Sequence, residues 1–101
     1  MAHKFSPVVV ETLTGHRTLT QAETDASTIY SFDPDGAKNL ILPAEAANAG
    51  QVLFIHNSAS GAEIITIQDD TPATVCTPTL NESAVVWCDG VSWFGLVGAS
   101  S

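Results

Sequence analysis

Turn chemistry interrupts this chain roughly every 8–12 residues, and that spacing constrains the fold more than any other feature. The runs between the breaks are short, and apolar or alternating. They are Val8–Leu13, Arg17–Leu19, Ser27–Phe32, Asn39–Leu42, Gln51–Asn57, Glu63–Gln68, Ala73–Cys76, Ala84–Cys88 and Val91–Val97. Among the breaks are Thr14-Gly15, Asp33-Pro34-Asp35-Gly36, Pro43, Ser58–Gly61, Asp69–Pro72, Pro78–Asn81 and Asp89-Gly90. Pro at the second position and Gly at the fourth suit Asp33–Gly36 to a type I turn. Thr, Val and Ile fill the runs, as strands prefer, while Lys and Arg together number only 3. Ala44–Gly50 is the one stretch read as having helical propensity. It is too short for an independent helix and reads as a connection of one turn closed by Gly50. No strand alternates with a long helix, which argues against a parallel α/β sheet. The expectation is an all-β fold, a small antiparallel β-sandwich or jelly-roll-like domain of about eight short strands. Residues 8–97 form the domain, 1–7 a flexible N-terminal arm and 98–101 a C-terminal tail.

Asp89-Gly90 between two apolar runs is the strongest hairpin signal in the chain. Two registers are open. A two-residue turn at Asp89-Gly90 places Val86 opposite Trp93. A three-residue turn with Gly90 in the left-handed region places Val85 opposite Trp93 and Trp87 opposite Val91. The second option gathers Val85, Trp87, Val91 and Trp93 on one core-forming face. Val86, Ser92 and Phe94 then share the other face, which is also apolar enough to need a cover, and another subunit can supply it.

With 101 residues the chain holds one domain, and only 14% of them are charged. Acidic residues number 11, for a net charge of −8. That balance opposes binding to nucleic acid, which needs clustered Lys and Arg, and to an anionic membrane surface. No apolar run reaches transmembrane length. The start, Met1–Pro7, has no apolar signal region, so synthesis and retention in a cytoplasm are expected. Cys76 and Cys88 can pair across a short loop or act as small buried hydrophobes.

No catalytic signature emerges. Asp33 with Asp35, and Asp69 with Asp70, are candidate calcium ligands, but without EF-hand spacing they read as turn residues. His3, His16 and His56 are scattered, with no zinc-type pairing. Ser, His and Asp occur without a nucleophile elbow, and there is no phosphate loop. Glu11, Glu23, Glu45, Glu63 and Glu82 carry no spacing that marks a glycosidase pair. Tyr30, Trp87 and Trp93 either form a sugar-binding platform or, more in keeping with the area they bury, belong to the core. No enzyme activity, cofactor, metal or small-molecule substrate is expected.

One set of residues resembles a known pattern. Asn39-Leu40-Ile41-Leu42-Pro43 leads through small residues to Gly50. Val52–Asn57, Ile64–Ile67 and Trp87-Cys88-Asp89-Gly90-Val91-Ser92-Trp93 follow. This succession, over residues 28–97, resembles a β-sandwich module of tailed-phage virion proteins, found in capsid decoration (cement) proteins and in head or tail fibres. The resemblance implies a homotrimer on the capsid surface, with the major capsid protein as partner and the virion as location. It brings no active-site residues. The lack of a shaft segment favours decoration over a receptor- or carbohydrate-binding fibre module. In this reading Phe5, Val8 and Val10, on the arm and first strand, reach a neighbour by strand addition, and Lys4 and Arg17 offer positive charge to an acidic shell.

Overall fold

The computed structural model describes residues 6–99. Nine strands account for nearly half of them: β1 (Val8–Leu13), β2 (Arg17–Thr18), β3 (Ile29–Pro34), β4 (Lys38–Ile41), β5 (Val52–Asn57), β6 (Ile65–Gln68), β7 (Thr74–Cys76), β8 (Glu82–Cys88) and β9 (Trp93–Ala99). The helical parts are a short helix, α1 (Gln21–Ala26), and a 3-10 turn over Glu45–Ala47. The domain is therefore all-β. Gly50, at φ +84, ends the connection after the 3-10 turn, and β9 runs two residues past the expected domain end. Of the expected arm, residues 1–5 lie outside the described residues.

α1 was not expected. Its signal is a capping box: the Thr20 side chain accepts from the Glu23 N–H, and the Glu23 carboxylate accepts from the Thr20 N–H. Reciprocal caps of this kind satisfy donors that a helix start leaves open.

The strands form two sheets, in the orders β1-β3-β5-β8-β9 and β2-β4-β6-β7. Through its first six strands the chain alternates between them. Each return to a sheet lays the new strand parallel to the previous one, so β1 pairs with β3, β3 with β5, β2 with β4 and β4 with β6 in parallel. Antiparallel pairing appears only where β7, β8 and β9 close the sheets. This corrects the expected antiparallel sandwich. Parallel strands need a long crossover connection. Here the crossover is a strand of the opposite sheet, so the sequence shows only short strands and turns.

The hairpin register also differs from both expectations. Cys88 pairs with Trp93 and Val86 with Gly95. Gly90, at φ +97, and Val91 occupy the centre of the turn, between Asp89 and Ser92. The Asp89 carboxylate accepts from the N–H groups of Val91 and Ser92, at 2.9 and 2.8 Å. Glycine thus takes the first central position, where positive φ is needed, and Asp89 becomes the corner acceptor. Val86 and Trp93 share the inner side, as the two-residue turn predicts, but the pairing slides by two residues. Val85 and Trp87 face outward, so they do not join Trp93 in a core wall.

One core lies between the sheets. Leu13, Tyr30, Phe32, Leu53, Ile55, Val86 and Trp93 come from the first, and Leu40, Ile65 and Ile67 from the second. Alternation of burial along β3, and along β8 from Ser83 onward, produces this division. The two sides of the sandwich close differently. Where β7 meets β9, a Cβ on Gly95 would lie 2.8 Å from Cys76 Sγ, so only glycine allows that approach. On the opposite side, between β1 and β2, an ion cluster covers the gap.

Candidate interaction face

That ion cluster centres on Arg17. Its Nε and Nη2 donate to the Glu11 carboxylate at 2.9 and 3.1 Å. Its Nη1 donates to Glu23 at 2.9 Å and to the Thr18 carbonyl at 2.8 Å, and Nη2 also pairs with Glu23. All five N–H donors of the guanidinium are engaged inside the chain. Arg17 therefore clamps β1, β2 and α1 together and has no donor to spare for an outside carboxylate. The other described lysine or arginine, Lys38, pairs with Asp35 at 2.9 Å.

Hydrogen bonding to Arg17 lowers the Glu23 carboxyl from 4.5 to about 2, with the Thr20 cap adding to it and burial opposing it. A depressed carboxyl stabilises the fold above its unfolded pKa, and the gain is lost as pH falls through its folded one. Stability should therefore decline between pH 4.5 and about 2. Urea titrations in that window should show a shallower decline for Glu23→Gln than for the wild type.

The other candidate residues are placed as follows. Asp69 accepts from the Thr71 hydroxyl and from the N–H groups of Ala73 and Thr71, which makes it a turn residue and lowers its pKa. Among the described residues, no group of three or more His, Cys, Asp or Glu side chains is arranged to hold a metal ion. Cys76 and Cys88 are both free thiols. Burial pushes Cys76 up to about 11 and also raises Cys88. Tyr30 and Trp93 face the core while Trp87 faces outward, so the three aromatics do not form one platform. Lys4 and Phe5 lie outside the described residues.

Val8 and Val10 do lie on a face that stands out. The outer side of the five-stranded sheet carries Val8, Ile29, Phe54, Val85 and Leu96 in one register row that crosses all five strands. At a strand spacing of about 4.8 Å, that row spans roughly 20 Å. Beside it run Val52, Trp87 and Phe94, the last two stacked with ring centroids 6.0 Å apart. On its other side lie Val10, Ser31, His56, Ser83 and Gly98. Exposure is high at the flanks: Val8 58%, Val10 77% and Leu96 65%. The outer side of the four-stranded sheet, in contrast, presents Thr18, Asn39, Ile41, Thr66, Gln68 and Thr74. Apolar content is thus specific to one face, and contiguous exposed apolar surface marks an interaction site.

A depression of about 240 Å³ opens on the apolar face, lined by Ile29, Tyr30, Phe54, Ile55, His56, Ser83, Ala84 and Val85. His56 Nδ1 lies 2.8 Å from Ser83 Oγ at its polar side. Among the described residues no carboxylate engages the His56 ring, and the pair sits on neighbouring ladder strands whose N–H groups serve the sheet. The arrangement lacks the orienting acid and free N–H donors of an acyl-transfer site. It can seat an apolar side chain and hydrogen-bond one polar atom. Val8 and Val10 are the part of this face singled out by sequence. Of the second side expected for the last hairpin, Phe94 lies on this face while Val86 lies in the core, and Val85 and Trp87 stand on the outer side instead; the row across β3 and β5 appears only once the register is fixed. No known family, no curated protein and no solved structure matches the chain.

Proposed function

We propose that this chain is a structural protein of a tailed-phage virion, which binds the outer surface of the capsid as a homotrimer and stabilises the shell. The observation that carries this reading is the apolar row crossing all five strands of one sheet. The strand-and-turn succession of residues 28–97 and the charge of −8 agree with it, since high charge keeps an abundant surface protein soluble. The mechanism is linkage: a protein that binds only the assembled shell lowers the free energy of that state, by about 2.7 kcal/mol per site at a concentration of 100 Kd. Co-sedimentation with undecorated heads of the phage that encodes the chain tests this. Saturable binding and a higher temperature of genome release are expected. Heads that pellet without the protein, even at a large molar excess, would overturn the reading.

A second reading is a receptor- or carbohydrate-binding module of a head or tail fibre. The stacked, outward-facing Trp87 and Phe94 favour it, because such rings can pack against sugar. A glycan array separates the two: saccharide-specific binding supports this alternative.

A further inference from the structure

We propose that Asp35-Gly36, in the turn between β3 and β4, is a site of spontaneous isoaspartate formation in the folded protein, whereas Asp89-Gly90, the same dipeptide in the last hairpin, is guarded by its surroundings. This goes beyond the virion reading and stands whether or not the protein binds a shell.

The chemistry needs only water. The Gly36 nitrogen bonds to the side-chain carboxyl carbon of Asp35. The amide proton and the carboxyl O–H leave together as water, and a cyclic succinimide closes. Water then adds to either ring carbonyl. Breaking one C–N bond restores aspartate. Breaking the other leaves isoaspartate, in which the backbone runs through the side chain and gains one methylene. Glycine favours closure because no Cβ crowds its nitrogen.

The two dipeptides differ in what holds them. The Asp89 carboxylate accepts from the Ser92 and Val91 N–H groups at 2.8 and 2.9 Å. The same two bonds hold its carboxyl below the usual range, which depletes the acid form that loses water. The Gly90 N–H donates to Cys88 Sγ at 3.4 Å, and a Cβ on Gly90 would lie 3.1 Å from Ala49 Cβ. Both the electrophile and the nucleophile are thus engaged. The Asp35 carboxylate instead meets the Lys38 ammonium at 2.9 Å, with its side chain 53% exposed. A surface pair of this kind restrains little. Among the described residues no backbone carbonyl takes the Gly36 N–H. A Cβ there would meet nothing nearer than Lys38 Nζ, at 3.7 Å. The turn is framed by the Asp35 N–H on the Leu13 carbonyl and the Lys38 N–H on the Ile64 carbonyl, both 3.1 Å. The added methylene falls between these bonds, where the chain crosses from one sheet to the other.

The test ages the folded wild type in warm, mildly acidic buffer made with heavy-oxygen water, then maps its peptides by tandem mass spectrometry. Each ring opening leaves one heavy oxygen at the residue that closed, and a protease that cuts before aspartate skips isoaspartate. Label should enter Asp35 about tenfold faster than Asp89, the factor that one hydrogen bond to a charged group carries. In urea, with the hairpin undone, both should label at similar rates. Gly36→Ala should largely block labelling of Asp35. Gly36 has no positive φ and has open space around it, so this variant should fold, as circular dichroism can check. Folded protein that labels Asp89 as fast as Asp35 would overturn the proposal. So would label that reaches Asp35 only in urea, or folded Gly36→Ala that labels there as the wild type does.

Discussion

Trp93→Ala should lower the melting temperature by on the order of 20 °C, from a loss of about 3–5 kcal/mol at roughly 4–8 °C per kcal/mol for a domain this size. Trp93 is 6% exposed and opens β9 on the inner side of the first sheet. Its Nε1 donates to the Pro43 carbonyl at 2.9 Å, across 50 residues of sequence. Pro43 follows β4, so this bond ties the last strand of one sheet to the chain leaving the other. Truncation removes a large apolar surface and leaves a cavity where the two sheets meet. Total stability for a natural domain is about 5–15 kcal/mol, so the variant should be marginal. Trp93→Phe keeps most of the apolar volume but strips the Pro43 carbonyl of its donor, which costs about 1–2 kcal/mol. Thermal melts followed by circular dichroism would show both. An alanine variant melting within a few degrees of wild type would contradict the packing described for β9.

Asn57→Ala should cost about 3–5 kcal/mol, more than the volume lost, because it orphans buried backbone groups at about 1–3 kcal/mol each. Asn57 ends β5 with no exposed surface. Its Nδ2 donates to the carbonyls of Glu63 and Pro78, at 2.9 and 3.0 Å. Its Oδ1 accepts from the Ala59 N–H at 3.0 Å. One amide therefore satisfies three backbone groups in the segments before β6 and before β8. Asn57→Asp gives a sharper test, because it keeps shape and acceptor but sets a carboxylate against two carbonyl oxygens. The folded state then favours the protonated acid, whose O–H can donate. A carboxyl raised on folding binds more protons in the folded state, so stability falls as pH rises. Urea midpoints for Asn57→Asp should be higher in mild acid than at neutral pH. Midpoints that do not move with pH would mean that the Asn57 side chain is not held by those carbonyls.

The strands were largely legible because each carries its own signal. Val8–Leu13 is read and observed with the same bounds, and β5 loses only Gln51 from the expected run. The turn residues act locally, so Gly50 and Gly90 both fall where positive φ is needed. The pairing was not legible. Nothing between residues 14 and 28 announces that β1 and β3 will lie parallel, because the crossover passes through β2, whose two residues look like any short strand. α1 was readable in principle from Thr20 and Glu23, but six residues without a long apolar stripe give little periodicity to detect. Arg17 shows the limit of reading charge one residue at a time. Its scarcity makes it look like a docking cation, yet Glu11 lies six residues before it and Glu23 six after, and the fold closes both onto its guanidinium. The interaction face depends on register throughout. Val8, Ile29, Phe54, Val85 and Leu96 become one row only when five strands are aligned.

Trp87 reports most directly on whether that face is covered by other copies. It lies in the outer rows beside Phe94, and the chain has 2 tryptophans, so Trp93→Phe leaves Trp87 as the single indole. Its emission should be recorded while the folded Trp93→Phe protein is diluted through the range in which sedimentation shows dissociation. A red shift on dilution, absent when Leu96→Glu is added, is the predicted result. An emission maximum already typical of a solvent-exposed indole, and unchanged at every concentration, would contradict burial of this face in an oligomer.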